Sequence, residues 1–423
     1  MLADLEHRRR AWRLTIAAIT VGGLVVRALY CDHSPTPRLV GDPRFYHDTA
    51  RALADGLGYV GTQSLGLTGP TAEHPPLYSL LVAGIDLLGG TGEATQRLVA
   101  SLTVGALFIP VVGYLGRRVG GQRVGVIAAM LAAVWPTLVV AQSSGESEAL
   151  FGVLVALMLL AAYRFVERPG IGEGALLGLW IGLATLTRSD AILFLAVVVI
   201  AFLRSGRPWR SAGMALLVTA LLLTPWVVRN WTVFGRPTLS TNFGALIGTT
   251  NCRTAYYGRH AGSFRLECLV GPKHGNELNR SNELMRRGTG YAGRHLSRLP
   301  YLFAVRFLEV WGLRDRRQFD IYSAEPRVQA IERDSYYPLL GLAVAGAILL
   351  RRRRRTLWPL VVPPVITSLI AIGSWGTARF RHPSEVAMVA LAAVALGALA
   401  DLVSNGRRKA NGPAGAGPFV LTS

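Results

Sequence analysis

Apolar residues occur along this chain in long blocks that short polar segments separate. A helix needs about 20 apolar residues to cross a bilayer. Ten blocks approach that length, at about 12–30, 97–116, 123–142, 147–164, 171–187, 189–204, 211–229, 336–350, 357–374 and 384–403. The pattern therefore predicts an all-α polytopic membrane protein, a bundle of about ten transmembrane helices.

Two longer polar segments, 31–95 and 230–335, interrupt the apolar blocks. The first contains GDPRFYHDTARALADGLGYVGTQSLGLTGPTAEHPPLYS, which is typical of a short amphipathic helix and a loop. We predict that the two segments form amphipathic helices and loops that cap one membrane domain, 1–403. Residues 404–423 are polar and contain Gly and Pro, which predicts a disordered tail.

Composition agrees with a membrane protein, because 51% of the 423 residues are hydrophobic and only 17% are charged. The net charge of +20 is strongly basic. However, the sequence has no basic domain, recognition helix or RNA-binding motif, so nucleic acid is excluded as a partner. The expected partner is the lipid bilayer.

The basic residues predict the orientation of the spans, since cytoplasmic connections are enriched in Arg and Lys. With the N-terminus inside, the inner segments contain Arg8, Arg9, Arg10, Arg13, Arg117, Arg118, Arg123, Arg164, Arg168, Arg204, Arg207, Arg210, Arg351 to Arg355, Arg407, Arg408 and Lys409. The short outer turns contain only Arg188, Arg379 and Arg381. We therefore expect a multi-pass plasma-membrane protein with both termini in the cytoplasm and both long polar segments outside.

Cys252 and Cys268 both lie in the second outer segment. An oxidising compartment permits a disulfide there, and we predict that these residues pair. Cys31 is left over at a helix end.

Ionisable residues cluster at the outer ends of the predicted spans. Such groups are costly near lipid unless they are paired or hydrated, so they predict a functional site. They are Glu146, Glu148, Arg188, Asp190, Arg229, Arg379, Arg381 and His382, and the first outer segment adds Asp42 and His74. Each also has a structural interpretation: Asp42 before Pro43 is typical of a helix cap, and Arg188 and Asp190 can simply pair.

Several motifs together resemble a known family. DPRFYHDTARAL and HPPLY are followed in order by SEALF, TRSDAILF, TPWVVRNW and ARFRHP. This series resembles the GT-C membrane glycosyltransferases, and within them glycosyltransferase family 39. That family covers the protein O-mannosyltransferases and the transferases that add aminoarabinose to lipid A. The resemblance extends over roughly 12–403.

The resemblance assigns roles to individual residues. Asp42 and Tyr46 match an acidic residue and an aromatic residue of the family's first outer loop, although Pro43 replaces a frequent second acid. His74 stands where the lipid A branch has a phosphate-contacting Lys. Glu148 matches the acid of the second outer loop, with Glu146 as the alternative.

The resemblance implies transfer of a sugar from a polyprenyl-phosphate donor to a hydroxyl of an extracytoplasmic glycan, lipid or protein, with inversion. Asp42 is expected to be the general base. The expected substrate-binding residues are Tyr46, His74, Glu148, Arg188, Arg229, Arg379 and Arg381. Of these, Arg379 and Arg381 are expected on the leaving phosphate, with His74 and Arg229 assisting. No cofactor is predicted with certainty. A divalent metal remains open because the acids are too scattered to assign ligands.

A polytopic transporter or flippase of a lipid-linked precursor is the alternative. Transporters place their substrate sites near the membrane midplane and often contain inverted repeats. This chain has its ionisable residues at span ends and has no internal repeat, which favours the enzyme.

Overall fold

The computed structural model describes residues 2–34, 41–62, 68–270, 275–314 and 325–410, without the side chains of 2–5, 62 and 405–410. Within these ranges the α-helices are α1 (Leu2–His33), α2 (Asp42–Ala54), α3 (Leu77–Leu87), α4 (Glu93–Gly120), α5 (Gln122–Val134), α6 (Pro136–Gln142), α7 (Glu148–Glu167), α8 (Ile171–Thr187), α9 (Leu195–Arg204), α10 (Trp209–Phe234), α11 (Asn242–Thr250), α12 (Arg253–Tyr256), α13 (Glu277–Arg294), α14 (Leu299–Val310), α15 (Pro326–Arg352), α16 (Trp358–Gly373) and α17 (His382–Ala410). Strands β1 (Val60–Thr62) and β2 (Thr68–Pro70) form one antiparallel hairpin. The predicted all-α fold is confirmed.

The count of about ten spans is not confirmed. In the described residues five helices are long and apolar enough to cross a membrane: Glu6–His33, Glu93–Gly120, Glu148–Glu167, Trp209–Phe234 and Ala378–Ser404. The pair α5 and α6 makes a sixth if the two are one bent span. Helices α3, α8 and α16 are apolar but shorter. The protein is therefore an integral membrane protein whose spans are fewer, or more irregular, than hydropathy predicts.

Helix α17 lies at the centre of the bundle. It packs against α4, α5, α7, α15 and α16, and every side chain from Val386 to Val394 is buried. A Cβ added at Gly346 of α15 would collide with the carbonyl oxygen of Leu391. Small residues let helix backbones approach closely in membranes, so Gly346 permits the packing of α15 on α17.

The bend between α5 and α6 is 56°, and Arg27 of α1 stabilises it. Pro136 has no backbone N–H to donate, so carbonyl groups near the end of α5 need other partners. The buried Arg27 guanidinium donates to the carbonyl oxygens of Ala132 and Ala133, at 3.0 and 2.9 Å. It also donates to Gln142 Oε1 at 2.9 and 2.6 Å. A cation inside the bundle thus has a purely structural explanation.

Helices α11 to α14 form a cap with its own small core, in which Tyr256 and Leu302 are fully buried. The predicted disulfide between Cys252 and Cys268 is present in this cap. Asn276 caps α13 by accepting a hydrogen bond from the backbone N–H of Asn279 at 2.9 Å. The cap is therefore held by local packing, a disulfide and a capped helix.

Hydrogen bonds of the Ala72 backbone join the first polar segment to the cap. Glu277 Oε1 accepts hydrogen bonds from the Ala72 N–H, at 3.2 Å, and from the Thr241 hydroxyl. The Thr241 N–H donates back to the Ala72 carbonyl at 2.9 Å. Parts of the two predicted outer segments, 35–40, 63–67, 271–274 and 315–324, lie outside the described residues. Of the predicted tail, residues up to Ala410 continue α17, and 411–423 also lie outside the described residues.

Candidate active site

Asp42 is the first residue of α2, but it does not cap that helix. The N-cap is Gly41, whose φ of 69° favours glycine, and the α2 N-terminus has no side-chain cap hydrogen bond. The cap interpretation of Asp42 was therefore wrong. Its Oδ2 instead lies 2.7 Å from an Arg379 terminal nitrogen, and its Oδ1 lies 3.3 Å from His74 Nε2.

Arg379 contacts three acidic residues from two parts of the chain. It lies in the short 3-10 helix Ala378–Arg381, directly before α17. One terminal nitrogen lies 2.7 Å from Glu146 Oε2 and 3.1 Å from Glu148 Oε2 in addition to Asp42. Its Nε donates to Glu148 Oε1. The guanidinium therefore joins the first polar segment to the start of α7.

A second cation, Arg188, follows the C-terminus of α8 and binds the same carboxylate. Its terminal nitrogen donates to Glu148 Oε1 at 2.5 Å, and its Nε donates to Asp190 Oδ1 at 3.3 Å. The expected Arg188–Asp190 pair thus exists, but Arg188 also contacts the cluster. We call Asp42, His74, Glu146, Glu148, Arg188, Asp190 and Arg379 the charged cluster.

Aromatic rings pack against His74, the neighbour of Asp42 in the charged cluster. The His74 ring lies 4.8 Å from Phe45 and 5.3 Å from Tyr46, measured between centroids. Tyr46 in turn packs edge-to-face on Tyr78 at 4.8 Å. Tyr46 is only 2% exposed, so these rings form a buried aromatic wall beside His74.

In the cluster, the pKa values of Asp42 and Glu146 are shifted in opposite directions. Burial alone raises the pKa of Asp42, but Arg379 and His74 more than reverse this and hold that pKa well below its usual range. Burial raises the pKa of Glu146 well above its usual range, since Arg379 only partly offsets it. For His74, burial lowers the pKa but the neighbouring Asp42 carboxylate outweighs it, so the pKa is raised. Asp42 is therefore ionised, and a proton in this group resides on Glu146.

A small, mainly apolar depression of about 10 Å³ lies beside the two arginines. Its walls include Phe151, Phe194, Ile366 and Ile370, and Glu148, Arg188 and Arg379 lie among its lining residues. We call it the arginine groove. Two guanidinium groups beside apolar side chains suit an amphipathic ligand with an anionic head.

A second cavity, of about 40 Å³, is lined by Pro43, Tyr46, His47, Tyr78, Gln96 and Arg97 among others. We call it the tyrosine cavity. Pro43 follows Asp42 in the chain, whereas Arg379, the ion-pair partner of Asp42, lines the arginine groove. Asp42 is therefore next to a lining residue of each depression.

Two predicted site residues are placed elsewhere. Arg381 is 1% exposed; it donates to the Val310 carbonyl at 3.3 Å and lies 3.8 Å from the centre of the Tyr336 ring. Arg229 donates to the carbonyl oxygens of Thr71 and Tyr59, at 2.6 and 2.8 Å. Neither guanidinium lies in the charged cluster, and the contacts of Arg229 hold the segment around the hairpin.

Sequence reasoning missed the polar residues of the tyrosine cavity, above all His47, Gln96 and Arg97. The available signals were weak. His47 lies on the same short helix as Asp42, and Gln96 and Arg97 are polar residues in the first turn of an otherwise apolar span.

The acids of the cluster do not fit a metal site. No group of three or more His, Cys, Asp or Glu side chains in the described ranges is arranged to hold a metal ion. Asp42, Glu146 and Glu148 all bind Arg379, so a guanidinium stands where a cation would be needed.

Comparison with known proteins supports the predicted resemblance. Residues 73–231 match a family model described as dolichyl-phosphate-mannose-protein mannosyltransferase. No curated protein matches the chain significantly.

Among solved structures, the Archaeoglobus fulgidus oligosaccharyltransferase in its apo form has a TM-score of 0.58 at 14% identity, over 97% of this chain and 53% of that one. The same organism's AglB, in complex with an inhibitory peptide and a dolichol-phosphate, gives 0.54 at 15% identity, over 95% and 53%. ArnT from Cupriavidus metallidurans, bound to undecaprenyl phosphate, gives 0.44 at 15% identity, over 96% and 82%.

The fold is therefore that of the GT-C membrane glycosyltransferases, as the motifs predicted. The chain spans about half the length of the oligosaccharyltransferases that it matches.

Proposed function

We propose that this protein is a membrane glycosyltransferase that moves a sugar from a polyprenyl-phosphate donor to an acceptor hydroxyl, with inversion and with Asp42 as general base. The observation that carries the proposal is the 2.7 Å ion pair between Asp42 and Arg379, beside the arginine groove. This pair puts a carboxylate next to a cation that suits a phosphate. The motifs, the family-model match and the fold support the same class.

The donor occupies the arginine groove. Its polyprenyl chain packs against the apolar walls formed by Phe151, Phe194 and Ile370, and its phosphate binds Arg188 and Arg379. Arg binds phosphate oxygens in a bidentate fashion, which both holds and orients the group. Support comes from the fold neighbour AglB, whose solved complex contains a dolichol-phosphate.

Donor binding also activates Asp42. In the structure Arg379 and His74 hold the pKa of Asp42 well below its usual range against the opposing effect of burial, so the carboxylate is a weak base. A donor phosphate competes for Arg379 and weakens the Asp42 ion pair. The pKa of Asp42 then rises, and its carboxylate becomes a stronger base when the donor is in place.

The chemical step is a single displacement. The acceptor oxygen forms a bond to the anomeric carbon while the bond from that carbon to the phosphate oxygen breaks. The acceptor proton moves to Asp42, and the electron pair leaves with the polyprenyl phosphate, whose new charge Arg188 and Arg379 stabilise. One displacement without a covalent enzyme intermediate inverts the anomeric centre.

The proposal includes the location of the site. We place both termini in the cytoplasm, the catalytic domain at 1–403, and the charged cluster and cap outside the plasma membrane, with the tail at 404–423. The distribution of Arg and the disulfide between Cys252 and Cys268 support this orientation. The acceptor is then an extracytoplasmic glycan, lipid or protein.

A deletion strain tests the function in cells. We expect a lipid-linked sugar to accumulate without the gene, as measured by mass spectrometry of extracted lipids, and wild-type protein to clear it. Asp42→Asn should leave it accumulated, because an amide cannot accept the proton. Asp55→Asn is the matched control, since Asp55 is exposed at the other end of α2. Clearance by folded Asp42→Asn protein to the wild-type level would refute the catalytic role.

A further inference from the structure

Three side chains on three helices form a hydrogen-bonded chain that ends at the tyrosine cavity. Gln96 Nε2 on α4 donates to Asp86 Oδ1 on α3 at 2.5 Å. Gln96 Oε1 lies 2.7 Å from Nδ1 of His47 on α2. Asp86 is 6% exposed, and a carboxylate only accepts hydrogen bonds. The Gln96 amide therefore turns its nitrogen to Asp86 and its oxygen to His47.

This orientation fixes the tautomer of His47. Because Gln96 presents an oxygen, His47 Nδ1 must carry the proton, and Nε2 of the neutral ring then has a free lone pair. Nε2 has no hydrogen-bond partner among the described residues, and the ring lines the tyrosine cavity. In the neutral form of the ring, the three residues thus present a hydrogen-bond acceptor, and a hydroxyl group is its natural donor.

The rest of the tyrosine cavity fits the same kind of group. Arg97 uses Nε for the Ser143 carbonyl at 2.5 Å and one terminal nitrogen for the Ser34 carbonyl at 3.3 Å. A guanidinium has five N–H groups, so further donors remain on a residue that lines the cavity. A volume of about 40 Å³ holds a hydroxyl and its carbon, because a single water needs roughly 10–15 Å³.

We propose that His47 binds a second hydroxyl of the acceptor, and that the acceptor is a saccharide. The inference rests on the proposed transferase function. His47 is five residues after Asp42 on α2, which separates them by roughly 7.5 Å along the helix axis and turns their side chains about 140° apart around it. One hydroxyl cannot reach both residues. A saccharide carries several hydroxyls at such spacings, whereas a serine or threonine side chain carries one.

A pair of substitutions tests the role of His47 Nε2. Gln places its amide near the position of Nε2 and can accept a hydrogen bond there, whereas Asn places its amide near Nδ1 and cannot. With purified protein, His47→Asn should raise the half-saturating acceptor concentration roughly tenfold, and His47→Gln should restore most of the affinity. The donor half-saturation should not change in either variant. His33→Gln, at an exposed position, is the control.

The class of acceptor is tested with fractions of the cell envelope from the deletion strain. Lipid-linked sugar extracted from that strain, radiolabelled in the sugar, serves as the donor. Polysaccharide, glycolipid and protein fractions are offered separately. We expect label to enter the polysaccharide or the glycolipid fraction, and the His47→Asn defect to appear with that fraction. Labelling of serine or threonine in the protein fraction alone would overturn the saccharide assignment.

The outcomes separate this inference from the proposed function. If wild-type protein releases no polyprenyl phosphate from the donor with any fraction, the transferase proposal itself fails. If wild-type protein transfers the sugar but His47→Asn has wild-type acceptor half-saturation, only the role of His47 fails. Equal defects in His47→Asn and His47→Gln would also overturn it, because they would assign His47 a packing role.

Discussion

The arginine groove and the tyrosine cavity each have a lining residue next to Asp42, and they differ in chemistry. The groove combines apolar walls with two guanidinium groups that already bind carboxylates. The tyrosine cavity combines aromatic walls with the neutral acceptor of His47, positioned by Gln96. This contrast suggests that the anionic, lipid-linked donor and the hydroxylated acceptor are recognised separately, and that Asp42 acts where they meet.

The largest effect on kcat is expected at Arg379. Arg379→Lys keeps a positive charge but loses the planar fork that contacts three carboxylates and, by our proposal, the donor phosphate. Loss of such transition-state contacts typically lowers kcat by roughly 10² to 10³-fold. Initial-rate measurements on purified protein check this value.

Arg381→Lys is the matched control for Arg379→Lys. The two arginines are two residues apart, but Arg381 contacts the Val310 carbonyl and the Tyr336 ring rather than the cluster. We expect a lower Tm with unchanged kcat. A larger fall in kcat for Arg381→Lys than for Arg379→Lys would contradict the assignment of the groove.

Filling each depression separately tests whether the two depressions bind different substrates. Ile370→Trp narrows the arginine groove and should raise the donor half-saturation roughly tenfold, which corresponds to a loss of about 1.4 kcal/mol of binding free energy. Val82→Phe narrows the tyrosine cavity and should raise only the acceptor half-saturation. Two-substrate kinetics distinguish these results. If both variants affect the same substrate, the two depressions form one site.

The smallest expected effect on activity is at Glu277, which joins the cap to the first polar segment. Burial raises its pKa from 4.5 to about 6. The folded protein therefore binds this proton more tightly than the unfolded chain, so stability is greatest below pH 4.5 and falls as pH rises to about 6. The difference amounts to about 2 kcal/mol.

Glu277→Gln should remove that part of the pH dependence and leave kcat unchanged. The Tm of wild-type protein minus that of the variant, measured from pH 4 to 7, checks the sign. A difference that stays constant with pH would show that Glu277 does not titrate as described.

The sequence predicted the all-helical fold and the disulfide, and it named Asp42, His74, Glu148, Arg188 and Arg379 of the charged cluster, because hydropathy, charge bias and motif order are encoded locally. The sequence could not predict which arginines lie in the charged cluster. Arg379 and Arg381 share one motif, but a 3-10 turn points them in different directions, and only the packing of α14 and α15 shows that Arg381 is structural. Arg229, also expected at the site, binds backbone carbonyls instead.

The number of spans and the hydrogen bonds from Asp86 through Gln96 to His47 could not be predicted from the sequence, for a related reason. Helix α15 starts at Pro326, well before the apolar block at 336–350, so hydropathy located only half of it. The Asp86, Gln96 and His47 contacts join three helices through single polar residues. No local pattern encodes such pairings, because they depend on how α2, α3 and α4 pack.

Single-turnover release of polyprenyl phosphate tests the central claim, that Asp42 is the base beside the two depressions. Detergent-solubilised protein and extracted lipid-linked sugar are mixed with saturating acceptor fraction, so that no membrane compartments remain and a transporter would release nothing. We predict that Asp42→Asn slows release by about 10² to 10⁴-fold while donor binding, Tm and the Asp55→Asn control are unchanged. Wild-type release by folded Asp42→Asn protein would contradict the account.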